Sequence, residues 1–139
     1  MKSGTKILIA LFIFLTIGVV IAYYLYNLKP ADMNRIKPDY ILSSDALLKE
    51  FEENEAVANK KYINRVVEVT GEISSIISGE NNSLNVSLKP AGNISSVICT
   101  FASKDDLEGY EPGQKISIRG ECSGYLLDVL INRCRVIKE

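Results

Sequence analysis

Between Ile7 and Leu28 this chain carries no charged side chain for 22 consecutive residues, ILIALFIFLTIGVVIAYYLYNL. No other feature limits the possible folds so much. Wound as a helix at 1.5 Å per residue, the run spans about 33 Å, which matches the hydrocarbon core of a bilayer. It ends in Tyr23, Tyr24, Leu25 and Tyr26. A cleaved export signal would have an apolar region of only about 7–15 residues ending in small residues, whereas amphipathic tyrosine rings suit a headgroup interface. The reading is a single-pass anchor that contacts membrane lipid through residues 7–28, preceded by a short tail of residues 1–6. Lys2 and Lys6 precede the run. A short basic tail before such a helix favours an inside N-terminus and an extracytoplasmic C-terminal domain.

The remainder is sized for one domain. Of the 16 basic residues only Lys2 and Lys6 precede Lys29, so 14 bases face all 17 acids in this part and its net charge is −3. Phosphate-backbone affinity comes from clustered Lys and Arg releasing counterions. This balance, with no basic cluster, argues against nucleic acid as the partner. The chain has no histidine. That removes the commonest general acid/base, the base of the Ser/His/Asp and Cys/His nucleophile systems, and the commonest zinc ligand. The three cysteines, Cys99, Cys122 and Cys134, lack the Cys-x-x-Cys spacing of a zinc site. The expectation is a protein that is not an enzyme and uses neither metal nor cofactor.

Residues 29–40 hold Pro30 and Pro38 and show no apolar period, as in an extended linker. Residues 41–139 form the predicted domain. Leu47, Leu48, Phe51, Ala58 and Tyr62 recur at helical spacing after a Ser43 or Ser44 cap, with Glu50, Glu52, Glu53 and Glu55 on the opposite face. The spacing predicts one amphipathic helix over about 44–60. Beyond Tyr62 the period falls to two, and strands are expected over about 65–77, 83–88, 96–101, 114–123 and 128–137. Gly71 suggests a bulge or a sharp coil in the first of them. Ser103 and Asp106 read as the capping box of a short helix between the third and fourth strands. Five strands with a helix between the third and fourth make the OB-fold order, a Greek-key barrel. Closing the barrel removes edges that five short alternating strands would otherwise expose. The fold class is therefore mainly β with α: a five-stranded OB-fold-like barrel preceded by an amphipathic helix and an N-terminal transmembrane helix.

The stretch DYILSSDALLKEFEENEAVANKKYINRVVEVTGEISSI (Asp39 to Ile76), together with GQKISIRGECSGYLLDVLINRC (Gly113 to Cys134), resembles the tRNA_anti-like family of OB-fold proteins. The resemblance implies an anchor or export signal, an acidic helix and then the barrel. It supplies no catalytic residues.

OB-folds bind through strands 2 and 3 and through the loops joining strands 1 to 2 and 4 to 5. Here these map to Gly79–Asn82, including Asn81 and Asn82, to Phe101 if its parity faces outward, and to Gly124–Leu127 with Tyr125. An exposed Tyr125 could stack on a base or sugar, or instead cap the barrel. The expected function is a binding module that recognises a protein, peptide or glycan at the outer face of a membrane. An oligonucleotide-binding module and an assembly factor acting through its membrane helix are the alternatives.

Cys99 and Cys122 share parity with apolar neighbours and point into the core. In an oxidising compartment a Cys122–Cys134 disulfide is permitted. A tight hairpin near Leu126 would set Cys122 opposite Leu130, so this bridge needs a longer loop between the strands.

Overall fold

The computed structural model describes residues 2–29 and 31–138. The chain divides into two units between Ala31 and Asp32. The first is one helix, α1 (Ser3–Tyr26), whose most apolar stretch has a mean hydropathy of 2.7; its length and composition suffice to cross a membrane.

Among its described residues the second unit holds six strands and two α-helices: β1 (Tyr40–Ser43), α2 (Ser44–Glu53), α3 (Glu55–Tyr62), β2 (Val66–Ser78), β3 (Leu84–Leu88), β4 (Val97–Phe101), β5 (Lys115–Leu126) and β6 (Asp128–Val136). The sheet order is β1-β2-β3-β4-β6-β5, and β2 pairs with β5 as well, which closes β2–β6 into the five-stranded OB-type barrel. Strict alternation explains the closure. Val67, Val69, Ile73, Val86, Leu88, Val97, Cys99, Phe101, Ile116, Ile118, Val129 and Ile131 all point inward and are buried. Each such aliphatic side chain removed from water contributes about 1.5–3 kcal/mol.

Several local expectations change. The single helix over 44–60 is two helices broken at Asn54, whose backbone is extended (φ −157°, ψ 91°). Its side-chain carbonyl accepts the Val57 amide hydrogen at 3.2 Å. This is a local side-chain bond of the kind that diverts backbone from a helix. The break lets Leu47, Leu48 and Phe51 of α2, and Ala58 and Tyr62 of α3, all turn into one core. Gly71 is not a bulge: it lies in the ladder opposite Ile116, and the register shift falls at Ser74, between Ile73 and Ser75. A Cβ on Gly71 would sit 2.6 Å from the Ser44 Oγ, so glycine is required by the close approach of α2. The short helix after Ser103 is a single 3-10 turn, Lys104–Leu107. Asp106 turns instead to pair with Arg135.

Residues 29–40 are only partly a linker. Tyr40 begins β1, which pairs parallel to β2 with Tyr40 beside Val67. Asp39 holds Val66 by two bonds, its amide donating to the Val66 carbonyl (2.7 Å) and its carboxylate accepting the Val66 amide (2.9 Å). Met33 is 2% exposed. Arg119 of β5 fixes this segment, donating to the carbonyls of Ile36 (2.9 Å), Met33 and Asn34 (both 3.3 Å) while it also grips the Glu68 carboxylate (2.7 and 3.1 Å).

Candidate functional site

The two loops that serve binding in OB-folds form differently here. Between β2 and β3, Glu80–Asn82 makes a 3-10 turn in which Asn81 (φ 53°) and Asn82 (φ 64°) occupy the left-handed region that asparagine tolerates. Ser83 ties the turn through its hydroxyl, which donates to the Glu80 carbonyl at 2.6 Å. Both asparagines are exposed.

Between β5 and β6 the connection is a single residue, Leu127, with Leu126 facing Asp128 across the ladder. Leu127 has φ 66°. A side chain other than glycine or asparagine in this region costs about 1–2 kcal/mol. Leu126 and Leu127 are nevertheless 78% and 81% exposed, so no burial offsets that strain. Asp128 fixes the far side of the hairpin, since its Oδ1 accepts both the amide (2.7 Å) and the hydroxyl (2.8 Å) of Ser96.

Tyr125 precedes the two leucines. Its ring stacks on Phe51 with centroids 5.4 Å apart and planes 22° from parallel, and Phe51 packs on Tyr62 at 5.8 Å. One face of Tyr125 is thus taken by the barrel's own core. It closes the end of the barrel under α2, and a base or sugar has only its other face and its edge. The cleft at this position is lined by Glu55, Tyr125, Leu126 and Leu127. The structure does not bring Asn81 or Asn82 into it. Phe101 is removed from the candidates altogether: it is 0% exposed, its parity turning it into the barrel beside Leu84.

Within the Gly124–Leu127 loop the sequence singles out Tyr125, whereas the structure leaves Leu126 and Leu127 the more exposed. Their signal was two adjacent large apolar residues at a hairpin tip, where turns ordinarily take Gly, Asn or Asp.

Four of the five arginines of the barrel unit pair with carboxylates. Arg119 pairs with Glu68, Arg133 with Glu121, Arg135 with Asp106 and Arg35 with Asp32. Lys61 bonds Glu50 at 2.7 Å and lies over the rings of Tyr62 and Tyr40 (4.8 and 5.5 Å). The Lys61 hydrogen bond holds the Glu50 carboxyl below its ordinary value, and the Glu50 bond in turn raises the Lys61 ammonium. No cluster of three or more metal-ligating side chains occurs among the described residues.

The possible Cys122–Cys134 bridge is corrected by the register. The one-residue connection sets Cys122 opposite Ile131, and all three cysteines are free and buried. Cys134 lies alongside Gly120.

A lipoprotein from Klebsiella pneumoniae, described as a candidate nucleic acid binder, superposes with a TM-score of 0.58 at 23% identity over 79% of this chain and 100% of its own. Asparaginyl-tRNA synthetase from Entamoeba histolytica aligns at 0.46 and 14% identity over 74% of this chain and 24% of the synthetase. Yeast Stn1 and Ten1 align at 0.45 and 12% identity, over 76% of this chain and 66% of theirs. The first of these likenesses speaks to the fold alone, an OB-type barrel. No curated protein matches the chain significantly. The tRNA_anti-like family model matches residues 1–136, nearly the full length. The chain belongs to the tRNA_anti-like family.

Proposed function

We propose that the barrel is a non-catalytic binding module, held beside a membrane by α1 with the barrel on the outer side, and that it takes a protein or peptide segment at the β5–β6 hairpin. The observation that carries this reading is the pair Leu126 and Leu127, exposed at the tip with Leu127 in a left-handed conformation. Strain without burial in the free protein is offset when a partner covers the site. Aliphatic side chains favour an apolar peptide surface over a base or a sugar, which recruit aromatic faces. Glu55 at the rim favours a cation beside the partner's apolar anchor.

The test is a displayed peptide library panned on the full-length chain in nanodiscs. The double variant Leu126→Ser/Leu127→Asn serves as the comparison, and it leaves the core untouched. Enriched sequences should carry apolar anchors and lose binding to the variant. Enrichment that ignores the variant, or no enrichment at all, would overturn the reading.

A second reading is an oligonucleotide-binding module, and its support is the Klebsiella lipoprotein described as a candidate nucleic acid binder. Against it stand the net charge of −3 from Lys29 onward and the arginines already paired with carboxylates. It predicts single-strand binding that weakens steeply with salt. A flat fluorescence-polarisation titration at low salt would dispose of it. Protease digestion of intact cells tests the placement, since an outer barrel is degraded and an inner one is spared.

A further inference from the structure

We infer that the barrel carries a second site, a notch in the sheet beside the start of α2, which takes a small zwitterion of the α-amino-acid class by its carboxylate and ammonium groups.

The notch arises because two strands share one edge of β2. β1 follows that edge only as far as Thr70, the partner of Ser43, and β3 takes it up again at Ile73, the partner of Leu88. Gly71 and Glu72 lie between and pair with β5 alone. Local sequence sets both limits. Ser43 caps α2 by accepting the Ala46 amide at 3.2 Å, which turns the chain out of the ladder, and Pro90 follows directly on the end of β3. Ile73 directs both its backbone groups to the β5 side, its amide donating to the Gln114 carbonyl (2.9 Å) and its carbonyl accepting the Gly113 amide (2.7 Å). Strand alternation therefore turns the Glu72 amide to the opposite edge, into the interval that neither β1 nor β3 fills.

A cleft of about 670 Å³ opens there, between the start of α2, the floor at Gly71 and Glu72, and the β3 end at Lys89. That is the size of a small-molecule site. Ser44 is 4% exposed, and the little surface it keeps opens on this cleft. Its hydroxyl has no hydrogen-bond partner among the described residues, and a polar group so shielded from water is unfavourable until a ligand supplies one. Gly71 makes the room, since a Cβ at that position would lie 2.6 Å from the Ser44 Oγ. The ten-residue α2 starts at Ser44 and adds the partial positive charge of its first turn. The Ser44 hydroxyl, the Glu72 amide and this helix start are together a seat for a carboxylate.

The rim carries both signs. Lys89 and Lys115 bring ammonium groups and Asp45 and Glu72 bring carboxylates, and all four are exposed. None is joined to another side chain in the ion pairs of the described residues, apart from which the paired groups are Arg35, Lys49, Lys61, Arg119, Arg133 and Arg135 with their acids. A simple anion would satisfy the lysines and meet the two carboxylates, and a simple cation would do the reverse. A molecule with a carboxylate and an ammonium a few bonds apart satisfies both. Free amino acids and short peptides share that chemistry. The site has no residue in common with the cleft at the β5–β6 hairpin, so it stands or falls separately from the peptide reading of the tip.

The full-length chain in nanodiscs is dialysed to equilibrium against a pool of the natural amino acids and, separately, against a pool of their dipeptides, and retained members are identified by mass. At least one pool should be enriched on the protein side, and which one names the source. For the tightest member, amidating the carboxylate or acetylating the amine should each weaken binding roughly tenfold. Ser44→Ala should weaken it roughly tenfold as well, with the thermal melt unchanged because its hydroxyl has no partner to lose. Leu126→Ser/Leu127→Asn should bind the zwitterion as the unsubstituted chain does. No enrichment from either pool, blocked derivatives that bind as tightly, or undiminished binding by Ser44→Ala would each overturn the inference. Lys115→Gln, on an exposed side chain, should also weaken binding and keeps the test decisive should Ser44→Ala fail to fold.

Discussion

Arg119→Met removes the clamp that holds residues 33–36 to the barrel while keeping most of the side chain's apolar length. In the intact protein the guanidinium and the Glu68 carboxylate are each 15% exposed and joined by two hydrogen bonds. Methionine leaves that carboxylate with no counter-charge in a site largely shielded from water, which costs on the order of 3 kcal/mol. The Ile36 carbonyl at 2.9 Å loses a charged donor as well, while the bonds to Met33 and Asn34 at 3.3 Å are long and contribute less. The assay is urea unfolding of the full-length chain in detergent, followed by tyrosine fluorescence, since the chain has seven tyrosines and no tryptophan. Arg119→Met should lose about 3 kcal/mol. Adding Glu68→Gln should recover about 1–2 kcal/mol of that loss, because the stranded charge goes too. Amide exchange at residues 33–37 should quicken in step. A single variant within about 0.5 kcal/mol of the unsubstituted chain, with exchange at 33–37 unchanged, would refute the reasoning.

Three further outcomes are expected. Gly120→Ala should cost about 3 kcal/mol in the same melts, because the added Cβ meets the Asn132 carbonyl at 2.8 Å and backbone cannot give way as a side chain would. Leu127→Asn should leave stability unchanged or raise it by up to about 1 kcal/mol, since asparagine tolerates the φ of 66° and no buried contact is lost. Its effect should appear in peptide binding instead. Glu50 has a folded-state carboxyl held below its ordinary value of 4.5, so its contribution is present above that pH and is lost as pH falls through the lower folded value. Glu50→Gln should therefore flatten the acid limb of stability below about pH 4.5 and leave the shape near neutrality unchanged, read from melts across pH.

The apolar run and the change of period from helical to alternating were enough to read a long apolar helix followed by an OB-type barrel. Both are local properties of the chain, set by which side chains must leave water. The candidate site was only half legible. The tip residues 124–127 followed from strand spacing, but parity alone left Phe101 open, and closure of β4 against β3 and β6 turned it inward. Tyr125 looked free until α2 folded over the barrel end and placed Phe51 on its ring.

Other features depended on residues far apart in sequence. Met33 and its neighbours carry no period of their own and are ordered by Arg119, more than eighty positions away. The inward turn of Cys134 depends on one extra residue in β6 opposite Gly120, because a single bulge reverses which side chains face the core. The sequence by itself determined which segments are greasy, which alternate and how many strands close. Tertiary structure alone decided which rings and charges meet, because those encounters depend on register, on bulges and on one element packing across another.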